Sequence, residues 1–328
     1  MTKAHGFDSR NVPLLVTIGL FLVMFGGGSV AFPGFFTVQN FLNLFIDNAY
    51  LLILGVGMTF VIVSGGIDLS VGSVLALSTM VGSSLIERAH MNPLLAILVV
   101  LCIGTTLGLF MGYLIQEFDL PPFIITLAGL YLARGLCYVV SLETIAVKDP
   151  TFTALASFQL PLGPDAFLTT GATVAIGVVL IGWAVSRYTG FGRTVFAVGG
   201  NEQSALLMGL PVHRTKILIY AVSGFCSALA GVVFMAYTLS GYALDGKGME
   251  LDTIASVVIG GTLLTGGVGS ILGTVFGVFV YGSIQVLIMF QGTLNSWWTR
   301  IVIGVLVFLF CLLQRFFESR RKKAKAGG

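Results

Sequence analysis

Charge is what this sequence has least of. Asp, Glu, Lys and Arg together make up 9% of the 328 residues, against about 25% in soluble globular proteins. So few charges cannot clothe a water-facing surface, and an ordinary cytosolic enzyme is excluded. Proline is also sparse, at 9 residues, while 43 are glycine and the mean hydropathy is +0.99; that much apolar surface cannot stay hydrated, which removes disordered, collagen-like and linker-rich chains. The four cysteines, Cys102, Cys137, Cys226 and Cys311, sit singly inside apolar runs without a CxxC pair, so they read as packing residues and neither a disulfide framework nor a zinc site is indicated. A net charge of +3 gives no footprint for nucleic acid. What is abundant is continuous apolar sequence, and lipid is its natural solvent.

At about 20 residues per crossing, the apolar content is enough for roughly ten spans. Segments run at 12–32, 41–63, 70–86, 93–115, 122–142, 167–186, 217–240, 253–264, 268–290 and 298–314. The expectation is an all-α integral membrane protein of roughly ten helices, some short or glycine-broken, forming a single domain over 1–328. Continuous rather than alternating runs exclude a β-barrel. The first run ends near Phe32 without a small-residue cleavage site and reads as a retained span. Placing both termini in the cytoplasm puts Lys3, Arg10, Arg187, Arg193, Arg214, Lys216 and the basic stretch from Arg315 to Lys325 inside, leaving mainly Arg88, Lys148, Lys247 and Arg300 outside. This satisfies the positive-inside rule, and the Arg320–Lys325 cluster reads as a topological anchor on lipid headgroups. Two connections are long: an outer one from Glu143 to Asp165, and an inner one at 187–216 that offers a cytoplasmic partner its main surface.

Two glycine-broken stretches resemble each other, VSGGIDLSVGS at 63–73 and IGGTLLTGGVGS at 259–270. Paired breaks point to a transport pathway, because freed backbone groups survive in a membrane only where protein or a water-filled cavity satisfies them; close helix packing through small residues is the competing account. Gly65, Gly66 and Asp68 mark the first break. Asp68, followed by Leu69 and Ser70, reads as a helix cap ahead of ligand contact or proton transfer. Arg134, within an apolar run, requires an internal partner or a route to the interface. Asn48, Thr126, Tyr131 and Gln285 are hydrogen-bonding candidates for a cavity holding a neutral polar solute. Phe123, Trp297 and Trp298 are less specific, and the tryptophans read as an interfacial belt.

The chain carries no energy source of its own. GYALDGKG at 241–248 approaches the phosphate-loop pattern, but Gly248 stands where a magnesium-binding hydroxyl is required and no strand-to-helix context surrounds it. An ion-coupled carrier would place several acids or histidines at mid-membrane, where this chain offers chiefly Asp68. A passive channel is a third class. In the inner segment, Asn201-Glu202-Gln203-Ser204-Ala205 reads as a helix start with Gly209 as its stop, a surface on which a separate ATPase could dock.

SGGIDLSVGS at 64–73, PPFIITLAG at 121–129, GRTVFAVGGNEQSALLMGL at 192–210 and VVIGGTLLTGGVGS at 257–270 together resemble the ribose-type sugar ABC importer permeases over nearly the whole chain. Within that family, GYAL at 241–244, ELDTIASVVIGGTLL at 250–264 and GTLNSWWT at 292–299 resemble the galactofuranose branch. The resemblance implies a multi-pass permease of the bacterial inner membrane that binds no cofactor itself. ATP and magnesium would belong to a cytoplasmic sugar-importer ATPase, sugar would arrive on a periplasmic binding protein, and a second copy or a homologous permease would complete the pore. It also implies that Gly199, Gly200, Asn201, Glu202, Ser204, Ala205 and Gly209 belong to the segment that couples to the ATPase.

Overall fold

The computed structural model describes residues 12–292 and 297–326, with side chains described at 14–292 and 297–312. Lys3 and Arg10, and the side chains of the basic stretch from Arg315 to Lys325, lie outside the described residues. Fourteen helices are described: α1 (Val12–Ala31), α2 (Val38–Asp47), α3 (Ala49–Val63), α4 (Val71–Glu87), α5 (Pro93–Glu117), α6 (Pro122–Val140), α7 (Pro150–Ser157), α8 (Thr170–Tyr188), α9 (Gly190–Gly200), α10 (Glu202–Leu207), α11 (Val212–Thr238), α12 (Met249–Ile259), α13 (Ile271–Gln291) and α14 (Trp297–Ala326). Every expected apolar segment has a helical counterpart. Six helices are long and apolar enough to cross a membrane alone, or seven when α2 and α3, bent by 57° at Asn48, count as one broken span. The shortfall from ten has a plain cause: α4 has 17 residues and α12 has 11, while the apolar part of α14 is confined to Trp297–Leu312.

Helix α3 occupies the centre. All of its residues except Tyr50 are buried, and α8, α11, α12 and α13 pack around it. The tightest pair is α5 with α11. Glycines at 104, 108 and 112 recur every fourth residue along α5, and a Cβ on Gly108 would strike the Tyr220 carbonyl while one on Gly224 would strike the Gly104 carbonyl. This is the small-residue packing that lets helix backbones approach closely in a membrane, where dispersion rather than water exclusion holds helices together.

Strands are few among the described residues. Strand β1 (Ile145–Ala146) pairs antiparallel with β4 (Ser240–Gly241), and β2 (Gln159–Gly163) forms a hairpin with β3 (Ala166–Thr169). With α7 they cover one end of the bundle, where the Glu87 carboxylate accepts the backbone N–H groups of Lys148 and Asp149. Arg134 finds its partners at the same end. Its Nη1 donates to the carbonyls of Ala243 and Asp245, at 2.6 and 2.7 Å, pinning the loop at 242–248. The phosphate-loop look-alike is therefore a folded turn. Gly246 and Gly248 carry φ values of +67° and +89°, the left-handed conformation glycine adopts without strain. Within that loop, burial holds the Asp245 carboxyl above the usual carboxylate range, opposed by the N–H of Tyr242, the Thr79 hydroxyl and the Arg134 guanidinium.

Candidate functional site

The chain has two polar poles, one at each end of α3. At the end that carries the 242–248 loop, a cavity of about 810 Å³ opens between α2, α3, α11, α12, α13 and α14, within the range of small-molecule sites. Asn48 and Gln285 line it together with Gly282. So do two aspartate–tyrosine pairs: the Tyr281 hydroxyl donates to Asp252 at 3.1 Å, and that of Tyr237 lies 3.5 Å from Asp47. Tyr50 stands between them, packed edge-on against Phe234. At the rim, the Arg300 guanidinium sits 5.1 Å from the ring centre of Trp297.

The other pole brings the glycine motifs together. Gly65, Gly266 and Gly267 all have positive φ, at +85°, +81° and +76°, so the chain turns sharply after α3 and again before α13. The N–H of Gly267 donates to the Val63 carbonyl at 2.8 Å, tying one break to the other. Gly199 fits into this junction with no room for a side chain. A Cβ there would overlap the Val63 carbonyl and the Gly267 nitrogen, and one on Gly266 would lie 3.0 Å from the Gly199 carbonyl oxygen. Backbone meets backbone from three segments that are far apart in sequence.

From that seam the chain runs through Asn201, whose side chain caps α10 by accepting the Ser204 N–H at 2.7 Å. Glu202 forms an ion pair with Lys216 of α11 at 2.5 Å, and Ala205 is buried with Val198 and Val212. Gly209 closes the turn with φ +74°. Alongside the polar Asn201, Gln203 and Ser204, this segment exposes Leu206, Leu207 and Met208, at 55%, 90% and 67%. These three form an exposed apolar knob, and they are absent from the residues picked out by motif. A signal was present, since LLM precedes a helix-stopping glycine where a surface helix would carry polar side chains. A smaller cavity of about 210 Å³ lies beside the seam, lined by Gly65, Gly66, Glu202, Lys216 and Tyr220.

The remaining candidates lie elsewhere. Asp68 is fully buried and borders neither cavity; its carboxylate accepts the Ser70 N–H at 2.9 Å and the hydroxyls of Ser70 and Ser223 at 2.6 Å each. Thr126 is buried and donates to the Pro122 carbonyl at 2.8 Å. Tyr131 is 69% exposed on the outer face of α6. Trp297 and Trp298 are both exposed, with Trp297 at the cavity rim. Among the described residues no group of three His, Cys, Asp or Glu side chains could hold a metal ion.

Long apolar helices around a polar cavity, with glycine-broken segments and an exposed apolar knob at the far end, define a multi-span transport subunit rather than an enzyme. Residues 40–311 match the family described as branched-chain amino acid transport system / permease component. Over 306 residues the chain is 49% identical to the inner membrane ABC transporter permease protein YjfF of Escherichia coli, covering 93% of this chain and 92% of that one. It is 39% identical to the fructose import permease protein FruG of Bifidobacterium longum, over 95% and 93% of the two chains. To the ribose import permease protein RbsC of Bacillus subtilis it is 37% identical, over 95% and 96%. No solved structure matches the chain. The protein belongs to the ribose-type sugar ABC importer permeases. It is a multi-pass inner-membrane permease component without a catalytic site of its own, and nothing in these relatives supports the ion-coupled carrier.

Proposed function

We propose that this permease carries a monosaccharide, galactofuranose, into the cell, driven by ATP that a separate cytoplasmic subunit hydrolyses with magnesium. The sugar assignment rests on the galactofuranose-like motifs at 241–264 and 292–299; relatives named as ribose and fructose permeases support the wider class. In this reading the chain crosses the membrane ten times, with α4, α12 and α14 as the short crossings and both termini inside. The end bearing α9 and α10 then faces the cytoplasm and the large cavity faces the periplasm, where a binding protein delivers the sugar. A second copy or a homologous permease completes the assembly. Residues 187–216 form the coupling segment, with Leu206, Leu207 and Met208 seated in the ATPase.

The observation that carries this reading is the seam. Gly199 links the exposed knob to the inner end of α3 by backbone contact, and the outer end of α3 forms part of the cavity wall. In this reading motion at the knob reaches the cavity through α3. The sugar undergoes no chemistry, and each access state needs only differential binding of partners to shift its population.

The test is uptake of labelled galactofuranose and ribose by cells producing the complete system, with the partner ATPase active or inactivated. Accumulation of galactofuranose that stops on ATPase inactivation is expected. Accumulation that persists would refute the energy source, and uptake of ribose alone would refute the sugar.

A further inference from the structure

The wall of the large cavity includes an acceptor that nothing among the described residues answers. Asn48 is 1% exposed. Its Nδ2 donates to the Leu44 carbonyl at 3.1 Å and is hemmed in by Gly282, where a Cβ would lie 2.6 Å from it. Among the described residues its Oδ1 has no hydrogen-bond partner, although Asn48 forms part of the cavity wall. A buried amide oxygen is rarely left in this state, because losing water without gaining a donor is unfavourable. The position is also built rather than incidental, since Asn48 is the residue at which α2 and α3 bend apart and Gly282 supplies the space for its side chain.

Around this acceptor the wall presents the two aspartate–tyrosine pairs described above, with Gln285 and Thr299 nearby. Carboxylates accept hydrogen bonds from paired hydroxyls, tyrosine and glutamine both donate and accept, and the ring faces of Tyr50 and Tyr281 suit the C–H surface of a sugar. We infer that this cavity is a binding chamber within a single permease chain for one neutral polyhydroxylated molecule, with Asn48 Oδ1 accepting one of its hydroxyls. The chamber also discriminates by charge. Among the described residues Asp47 and Asp252 line it with one cation, Arg300, so a bound carboxylate or phosphate would lie beside two acidic side chains and one guanidinium. Selectivity would then reside partly in the permease, in addition to whatever the delivering protein provides. The inference rests on the proposed import of sugar and adds the site and its preference.

The full chain in lipid nanodiscs, without ATPase or binding protein, is titrated with methyl galactofuranoside, D-ribose, D-galacturonate and ribose 5-phosphate, binding being read by saturation-transfer NMR. Saturable millimolar binding of the two neutral sugars is expected, with the two anions at least ~10-fold weaker. Asn48→Leu and Gln285→Leu should each abolish the saturable signal. Gln285 is only partly buried, so Gln285→Leu still reports if Asn48→Leu does not fold. Equal binding of the anions, or unchanged binding by Gln285→Leu, would overturn the inference. Absent binding alongside intact ATP-dependent uptake would sink the chamber alone, whereas intact binding with ATP-independent uptake would sink the functional reading instead.

Discussion

Neighbouring glycines at the seam provide a controlled experiment. A Cβ on Gly199 would overlap the carbonyl of Val63 and the nitrogen of Gly267, whereas one on Gly200 would meet nothing within 4 Å. Both residues end α9, so Gly→Ala brings each a similar helix-propensity gain of ~0.5–1 kcal/mol. The difference between the two variants therefore isolates the steric contact. That contact is hard to relieve, because the Gly267 N–H already donates to the Val63 carbonyl and no rotamer can move a backbone atom away. Overpacking of this kind costs ~1–3 kcal/mol, so Gly199→Ala should be less stable than Gly200→Ala by about that amount. The assay is thermal melting of the detergent-solubilised protein, followed by fluorescence-detected size exclusion, with ATP-driven uptake per folded molecule as the second readout. Uptake should fall in Gly199→Ala and stay near normal in Gly200→Ala. Equal melting temperatures and equal uptake would refute the account of the seam as a close-packed transmission point.

Three further substitutions separate the remaining roles. Leu207→Asp changes a side chain that is 90% exposed, so stability should move by no more than ~0.5 kcal/mol, while recovery of the ATPase on affinity-tagged permease should drop sharply; undiminished recovery would remove the knob from the interface. Asp68→Asn exchanges a carboxylate that accepts from Ser70 and Ser223 for an amide with only one acceptor oxygen, which should cost ~1–3 kcal/mol of stability and leave uptake per folded molecule unchanged. Loss of uptake with normal melting would instead assign Asp68 a direct part in transport. Arg134→Met removes two charge-assisted bonds to the loop before α12, with an expected loss of ~1.5–3 kcal/mol and faster trypsin cleavage after Lys247, an effect that Arg134→Lys should partly restore. Cleavage at the wild-type rate would show that the loop is held by other contacts.

The parts of this fold legible in the sequence are those set by one-dimensional quantities. Each of the ten apolar runs coincides with a described helix, and the paired glycine breaks at 63–73 and 259–270 marked two sharp turns of the chain. Their convergence on Gly199 was not legible, because the contact joins residues 63, 199 and 267 through backbone atoms that no side-chain pattern records. The cavity was half legible. Asn48 and Gln285 stood out as polar groups in apolar runs, whereas Asp252 sits next to a loop, and nothing in its neighbourhood separates a wall residue from a surface acid. Tyr131 shows the reverse difficulty: a hydroxyl in an apolar span draws notice, yet helix rotation decides what it meets, and α6 turns it outward. The packing of α5 on α11 is carried by the four-residue spacing of Gly104, Gly108 and Gly112, a signal that the search for glycine breaks passes over because it treats glycine as an interruption and not as a contact surface.

Helix α3 explains why such scattered signals belong to one device. Fifteen residues at 1.5 Å each give a rod of about 22 Å, buried along its length except at Tyr50. It is pinned sideways by contacts such as the 2.7 Å hydrogen bond between Thr59 and Thr274 of α13. A rod held on all sides can shift or tilt but cannot readily be compressed, because packed interiors pass strain on instead of absorbing it. Its two ends are where the backbone departs from helix, with a 57° bend at Asn48 and a left-handed glycine at 65. The breaks in the helical backbone therefore lie at the poles and the continuous helix lies between them. In the proposed mechanism a push delivered at Gly199 would be spent at Asn48, and since the Val63 carbonyl also holds Gly267, the same push would be shared with α13, whose Gly282 packs against Asn48 and whose Tyr281 and Gln285 line the cavity.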